Sequence, residues 1–536
     1  MVIKCIINYF KKHFGIFLLT LFVVLLVTLL ALIPPQLLRI IVDDIFTNKD
    51  INRLFVFALL YMISFVVISL INFLKEILLV VISNGIGKRI RLDMLKKVNK
   101  MSYNSFSKYD SGTLEAFFSN DVDEINTLIT TGVISMAIDG FKMIGIIISI
   151  FVYDYIFGIL TLLIIPLIVA FTSWIRKRMY NAQINNRKLE GNINNLVLEN
   201  LDNIVTIKSF RIYDKIEKKY NDVLKSHFKT NQKVNTYDAM FSPIMQILKN
   251  ALIVLIIILA TINPNLFTVS VGVLVSLIDL ITSLFTPIEN LGMEIQTIQK
   301  SFAAIKRIND FFKIEEDDEK VENTLINDDN VVLEFKDVTF SYDNKENVLE
   351  HFNLKISNND RLVLKGKSGS GKSTIFKLAY GLIKPESGSV TINNIPTYLL
   401  STELKRKYFG IVYQDYFFSN GTIKEEVTLL NNNISDDEVL NVLKMVGLKR
   451  ISNINEKLII NDYSTGELAM FNIARAILLN SKVLFLDEMN AKIDAINAKH
   501  IIEVIDNVAK NKLVLSINHY GELLSNSKIL DLENKI

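Results

Sequence analysis

Cysteine is almost absent from this sequence, since Cys5 is the single cysteine among 536 residues. An internal disulfide framework and a thiolate metal cluster are therefore excluded. The five histidines are scattered and show no metal-ligand spacing. The formal net charge of +3 is small for this length, so the composition gives no case for nucleic-acid binding. Apolar residues are abundant instead: 50% of the chain is hydrophobic, and the mean hydropathy is +0.32.

The apolar excess is unevenly distributed along the chain. Long apolar runs precede Glu315, whereas the composition after Val331 is that of a soluble α/β domain. A chain of this length is expected to form two or more domains. We predict a membrane-spanning domain over residues 1–312, an acidic and polar linker over 313–330, and a nucleotide-binding domain over 331–536.

Six apolar runs in the first part are candidate membrane spans, because each can satisfy its backbone hydrogen bonds as a helix. They cover residues 14–33, 54–74, 133–153, 157–174, 239–260 and 266–285. The connections 76–132 and 175–238 are long, amphipathic and rich in lysine and arginine near the span ends. This bias places both connections and both termini in the cytoplasm. The sequence predicts a multi-pass protein of the cell membrane in contact with lipid.

The first apolar run has a cleaved signal peptide as its alternative interpretation, because Lys11 and Lys12 precede it. The run is roughly 20 residues long, which suits a full membrane span. No small-x-small cleavage site follows it, and further spans do. We therefore expect a retained first helix.

Charged residues within the spans are candidate substrate contacts, since an intramembrane charge is expensive. Asp139 and Asp279 are the candidates for this role. For Asp139 there is a simpler alternative: Lys142 lies three residues further along the same helical face and could neutralise it.

A glycine-rich loop, GKSGSGKST, follows the predicted strand 362–364 and precedes the predicted helix 375–382. Its glycines let the backbone approach phosphates closely, and its N–H groups meet the anion at a helix N-terminus. Lys372 can reach the β and γ phosphates of ATP, and the Ser373 hydroxyl can hold Mg²⁺. The candidate nucleotide-binding residues of the loop are Gly366, Lys367, Ser368, Gly369, Ser370, Gly371, Lys372, Ser373 and Thr374.

Two carboxylates follow the apolar strand 483–486. They would repel each other without a nearby cation, but with Mg²⁺ and ATP adjacent Asp487 can bind the metal and Glu488 can activate water. The next apolar strand, 512–517, ends in Asn518 and His519, which makes His519 a candidate γ-phosphate contact. Gln414 follows the apolar run 409–413.

Together these motifs resemble those of the ABC exporter family, and the resemblance covers nearly the whole chain. The succession is Tyr342, the loop 366–374, Gln414, residues 464–467, Asp487–Glu488, Asp494 and His519. The resemblance implies that Tyr342 stacks on adenine and that Gln414 contacts both Mg²⁺ and the membrane domain. It implies that the Asp494 loop crosses a dimer interface.

The membrane part carries the resemblance too. Phe106, Gly112 and residues 120–122 resemble the family's first cytoplasmic connection, and residues 207–220 resemble the second. Residues 301–312 resemble its final helix. Both connections would supply short coupling helices that press on the ATPase domains.

The signature segment departs from the family pattern. Residues 463–470 read YSTGELAM where the family has Leu-Ser-Gly-Gly-Gln followed by basic residues. Ser464 and the Gly466 N–H remain able to contact a γ-phosphate. Thr465 replaces a glycine, and Glu467 adds a carboxylate near a tri-anion, which a helix N-terminus partly offsets.

The resemblance implies a dimer, because the signature of one domain closes over the phosphate loop of another. A homodimer would carry the altered signature in both sites, whereas a heterodimer would pair this chain's Glu488 and His519 with a partner's normal signature. The predicted function is ATP-driven export of a small molecule, lipid or peptide by alternating access. A non-transporting membrane ATPase that acts as a sensor or channel is the alternative, and import also remains open.

Overall fold

A computed structural model describes residues 1–46, 50–262, 270–317, 330–342, 346–367, 369–414, 417–489, 493, 495–518 and 524–534. The chain divides into two compact units. The first comprises Met1–Asn99 and Tyr109–Ile314, and the second comprises Lys100–Lys108 and Glu315–Ile536. Most of the predicted linker, residues 318–329, lies outside the described residues.

The first unit is helical. In chain order the helices up to residue 312 are α1 (Val2–Lys12), α2 (Phe14–Leu30), α3 (Ile33–Ile40), α4 (Ile51–Val98), α5 (Tyr103–Phe106), α6 (Ser111–Ala116), α7 (Val122–Thr127), α8 (Ile134–Tyr153), α9 (Tyr155–Asp202), α10 (Ile204–Phe210), α11 (Tyr213–Ile262) and α12 (Val271–Phe312). Of these, α5 belongs to the second unit. Short π-helical turns over Ile41–Phe46, Phe117–Asp121 and Leu128–Val133 make some of these helices nearly continuous.

Six helical segments in the described part of the chain are long and apolar enough to cross a membrane. They are Phe14–Ile45, Ile51–Val98, Ser111–Tyr153, Tyr155–Asp202, Tyr213–Ile262 and Val271–Phe312. Five of the predicted spans fall inside these segments, and the sixth, 266–285, starts among residues that are not described. The segments are longer than predicted: α4 has 48 residues, hence a length of about 72 Å against a hydrocarbon core of about 30 Å. The helices continue beyond the apolar region into the cytoplasmic connections.

Packing in the first unit pairs α9 with α11, α8 with α12 and α2 with α4. Buried aliphatic and aromatic side chains such as Phe157, Met245 and Leu284 form its core. Large apolar side chains on the outer faces remain exposed, for example Phe55 and Phe73 on α4. Such a surface suits contact with lipid, where apolar side chains need no cover.

An ion pair joins two segments that carry the family resemblance. Asp121, which is 5% exposed, accepts two hydrogen bonds from Arg307 of α12, at 2.9 Å from Nε and 2.5 Å from Nη2. This bidentate geometry is the favoured one for arginine and a carboxylate. It fixes the first cytoplasmic connection to the last helix of the unit.

The second unit has two sheets with helices around them. Its strands are β1 (Val332–Ser341), β2 (Asn347–Ser357), β3 (Arg361–Lys365), β4 (Ser387–Ile392), β5 (Ile395–Pro396), β6 (Phe409–Val412), β7 (Val483–Asp487), β8 (Leu513–Ile517) and β9 (Lys528–Asp531). Its further helices are α13 (Lys372–Ala379), α14 (Thr402–Tyr408), α15 (Ile423–Thr428), α16 (Asp436–Met445), α17 (Thr465–Leu478) and α18 (Ala495–Val508). An antiparallel sheet has the order β2-β1-β4-β5, and a parallel sheet has the order β6-β7-β8-β3-β9. The predicted fold class, a six-helix transmembrane bundle with an α/β phosphate-loop domain, is confirmed.

The helix after the glycine-rich loop has the predicted length of 8 residues, but it begins earlier, at Lys372. It ends at Ala379, three residues before the expected end at Leu382. Gly381 has a φ of +69°, and a Cβ there would come within 2.2 Å of the Thr397 carbonyl oxygen. Only glycine fits this close approach, so the chain turns out of the helix at this point.

Candidate functional site

Parallel strands of one sheet place the candidate residues at a common edge. Leu364 of β3 and Asp487 of β7 are both paired in register with Ile517 of β8, and β6 pairs with β7. The carboxyl ends of these strands lead into the glycine-rich loop, Glu488, Asn518 and Gln414 respectively. In parallel α/β sheets, ligands bind outside this edge.

The glycine-rich loop wraps around the ammonium group of Lys372. Its Nζ donates hydrogen bonds of 2.7 Å to the carbonyl oxygens of Gly366 and Lys367, and it lies 3.5 Å from the Ser370 hydroxyl. Lys372 is only 6% exposed. Gly371 has a φ of +89° and ends the loop as the N-cap of α13. The loop is thus closed around a buried cation at the start of a helix, which is an arrangement that binds anions.

The other loop residues differ in exposure. Ser373 is exposed on the first turn of α13, while Thr374 is buried. Ser370, Gly369 and Lys367 line an open cleft of about 1560 Å³. Ser368, which is a predicted nucleotide contact, lies outside the described residues.

Tyr342 lies at the rim of the same cleft. It is 37% exposed, and its hydroxyl is 3.3 Å from that of Thr374. The Lys377 Nζ lies 5.7 Å from the centre of the Tyr342 ring and 5.3 Å from the centre of the Tyr103 ring. Both distances are within the range of cation–π attraction. Lys377 thereby connects the cleft to Tyr103 of the first cytoplasmic connection, which sequence reasoning missed because its contacts are distant in sequence.

Glu488 and Gln414 are in direct contact. The Gln414 Nε2 donates a 3.0 Å hydrogen bond to Glu488 Oε2. Glu488 has a φ of +46°, and its N–H donates to the Ile517 carbonyl oxygen at 3.1 Å. A left-handed conformation is strained for glutamate, and such strain concentrates at functional sites. Two other predicted residues, His519 and Asp494, lie outside the described residues.

A second groove, of about 640 Å³, begins beside Ser373 and Asp487. Phe417 lines it and is 79% exposed. Arg475 lies beneath it, where Nε donates to the Glu426 carbonyl oxygen at 2.9 Å. Burial lowers the pKa of Arg475, and the nearby Glu426 carboxylate opposes that effect. The groove is therefore an exposed aromatic surface on a fixed polar base.

Ser464 forms a complete capping box with Glu467 at the start of α17. The Ser464 hydroxyl donates to Glu467 Oε2 at 3.0 Å, and the Glu467 N–H donates to that hydroxyl at 3.2 Å. The other carboxylate oxygen of Glu467 lies 2.9 Å from Nη2 of Arg450. Arg450 in turn lies 5.0 Å from the centre of the Tyr463 ring. Sequence reasoning missed Arg450, because nothing in its local pattern indicates a contact with α17.

Two family models match the chain. One, described as the ABC transporter transmembrane region, matches residues 17–288, just over half of the chain. The other, described as ABC transporter, matches residues 349–491.

Known proteins resemble the chain over most of its length. A probable multidrug resistance ABC transporter ATP-binding/permease protein, YheH of Bacillus subtilis, is 27% identical over 84% of this chain and 69% of its own length. An ATP-dependent lipid A-core flippase of Desulfotalea psychrophila is 24% identical over 94% of this chain and 90% of its own. The solved structure of a bacterial Atm1-family ABC exporter with ATP bound superposes with a TM-score of 0.79 and 20% identity, covering 96% of this chain and 93% of that one.

Proposed function

Because this chain belongs to the ABC transporter family, we propose that it is one half of a dimeric exporter that couples ATP hydrolysis to outward transport. It is a multi-pass membrane protein whose nucleotide-binding domain is cytoplasmic. The observation that carries the proposal is the common sheet edge, which bears the loop around Lys372 as well as the hydrogen-bonded pair of Gln414 and Glu488. The described part of the chain also has six membrane-length helices. The similarity to a probable multidrug resistance transporter and to a lipid flippase supports export.

The site residues have separate proposed roles. Tyr342 stacks on the adenine, and the loop from Gly366 to Thr374 holds the phosphates with its N–H groups and Lys372. Glu488 is the general base that accepts a proton from the attacking water, and Gln414 holds its carboxylate in position. His519 is proposed to contact the γ-phosphate.

Mg²⁺ is the metal that the donor set fits. Ser373 offers a hydroxyl, Asp487 a carboxylate and Gln414 an amide oxygen, and hard oxygen donors of this kind are what Mg²⁺ prefers. Ser373 and Asp487 line the same groove. The bound metal would neutralise phosphate charge, while Glu488 and Lys372 act directly on water and ATP.

A second copy or a related subunit is proposed to complete the site. The resemblance assigns to each phosphate loop a signature from another domain, here Ser464 and Gly466. The groove beside Phe417 supports a partner as well, because its exposed aromatic surface suits a short apolar helix. The α10 helix of a second copy could supply one, since Val205 and Phe210 are 73% and 74% exposed.

Transport is tested with inverted membrane vesicles that contain the full chain or its Glu488→Gln variant. We expect ATP-dependent accumulation of at least one of three fluorescent probes: a cationic dye, a labelled phospholipid and a labelled peptide. Glu488→Gln vesicles should show none. ATP hydrolysis by the wild-type chain without movement of any probe would favour the sensor or channel alternative.

Expression of this chain alone distinguishes the two dimers. A stable, ATPase-active particle containing only this chain would contradict the heterodimer. The heterodimer is favoured by the signature, because the Ser464 hydroxyl proton is directed at a carboxylate that would face a γ-phosphate. In the heterodimer, the hydrolytic residues of this chain would act with the normal signature of the partner subunit.

Replacing Glu467 with glutamine should strengthen ATP-induced association of the nucleotide-binding domains. The amide oxygen can still accept from Ser464, so the capping box remains, while one negative charge near the γ-phosphate disappears. At about 6 Å and an effective dielectric of about 40, the repulsion relieved is about 1–3 kcal/mol before Arg450 offsets part of it. We expect about a 5- to 10-fold gain in ATP-dependent dimerisation, measured by cross-linking in the Glu488→Gln background.

The matched control for this variant is Glu438→Gln. Ser435 and Glu438 form the same capping box at the start of α16. If the charge at position 467 is responsible for weak association, Glu438→Gln should leave ATP-dependent dimerisation unchanged. An equal gain from both variants would contradict the interpretation.

A further inference from the structure

Three polar side chains meet where α8 packs against α12 in the membrane unit. The Asn290 Nδ2 donates a 2.9 Å hydrogen bond to Oδ2 of Asp139. Glu294 follows Asn290 by four residues, so both project from the same face of α12. Asp139 also lies within electrostatic range of Glu294. Two carboxylates and one amide are thus gathered at a single helix contact.

Glu294 is the buried member of this cluster. Its exposed fraction is 5%, and its Oε2 atom has no hydrogen-bond partner among the residues that the structure describes. Within the described residues, neither Glu294 nor Asp139 has a cationic partner, and Lys142 does not pair with Asp139. The ion pair between Lys142 and Asp139, which the sequence left open as an alternative, is therefore not formed. A buried carboxylate without a partner is costly, and a second one nearby raises the cost.

The members of the cluster differ in how far they are buried. Asp139 and Asn290 are half-buried, whereas Glu294 is buried. Met136 precedes Asp139 by three residues on the same helical face and is 38% exposed. Methionine adapts to apolar groups of irregular shape. The arrangement combines a buried carboxylate with a partly exposed and adaptable apolar side chain.

We propose that Asp139, Asn290 and Glu294 bind the ammonium group of an amphiphilic cationic substrate, with Glu294 as its principal counter-ion. An ammonium group has three N–H donors, and its positive charge balances the negative charge of the carboxylates. The apolar part of the substrate lies against the surface that includes Met136. This inference rests on the proposed transport function and specifies its substrate class.

Binding of two matched probes to the full-length protein in lipid nanodiscs tests the site. Monodansylcadaverine carries a primary ammonium group, and its N-acetylated form has the same fluorophore without the charge. We expect the wild-type protein to prefer the cationic probe. Glu294→Gln should weaken binding of that probe at least about 10-fold, which is about 1.4 kcal/mol, and leave the neutral probe nearly unchanged.

Two further variants distinguish loss of the site from misfolding of the protein. Asp139→Asn should weaken the cationic probe in the same direction, and it provides the test if Glu294→Gln does not fold. Glu289→Gln, on the same helix but about 140° away from Glu294 around its axis, should bind both probes like the wild type. Folding is checked by the elution profile and basal ATPase rate.

The outcomes separate this site from the transport function. Equal binding of both probes by the wild type, or unchanged cationic binding in both variants, would overturn the site while ATPase activity upheld the transporter. A wild-type protein that hydrolyses no ATP, either alone or together with a related subunit, would instead contradict the proposed function, whichever probe it binds.

Discussion

Glu488→Gln is expected to lower the steady-state ATPase rate by about 100-fold or more, since general-base catalysis contributes about 10²–10⁴-fold. Glutamine has nearly the same shape, and its amide oxygen can still accept the hydrogen bond that Gln414 donates to Glu488 at 3.0 Å. What disappears is the negative charge that takes a proton from water. The chemical step should therefore fail while the site retains its form.

ATP binding should survive this substitution. Glu488 lies at the end of β7, whereas the phosphate loop follows β3 and encloses Lys372 with its own carbonyl groups. Phosphate release measures the loss of turnover, and titration with a fluorescent ATP analogue measures binding. The variant should accumulate in the ATP-bound state.

The control for charge removal is Glu503→Gln, an exposed position on α18. It should hydrolyse ATP at the wild-type rate. Near-normal turnover by Glu488→Gln would show that Glu488 is not the general base. Asp487 or His519 would then be the candidate for that role.

Local patterns were enough to predict much of this molecule. The order of strand, glycine-rich loop and helix over residues 361–379 depends on neighbours in sequence, and so do the apolar spans. The strand ending at Asp487 also follows from a short apolar run. These features need only the alternation, length and hydrophobicity that a linear sequence displays.

Contacts between distant segments were out of reach for the same reason. Asp139 meets Asn290 across 151 positions, and the nearby Lys142, which the helical period favours as its partner, is not used. Arg450 reaches Glu467 from a loop whose course depends on the fold around α17. Tertiary packing determines these partners, and helical spacing alone does not predict that packing.

Lys372→Ala is expected to act on ATP binding itself. The ammonium group is buried and donates to the Gly366 and Lys367 carbonyl oxygens, so the loop encloses a positive charge. Removing it loses charge-assisted hydrogen bonds to phosphate worth about 2–3 kcal/mol, or about 30- to 150-fold in Kd. Titration with the fluorescent ATP analogue measures this loss directly.

Comparison of the two variants distinguishes binding from turnover. Excess ATP should raise the unfolding temperature of the wild type and of Glu488→Gln, because both bind the ligand in the folded state, but not that of Lys372→Ala. Lys355→Ala removes an exposed lysine from β2 and should respond to ATP like the wild type. Unchanged affinity of Lys372→Ala for ATP would contradict this prediction. The wild-type lysine would then stay bound to the loop carbonyl groups in the presence of ATP, and the loop N–H groups alone would account for phosphate binding.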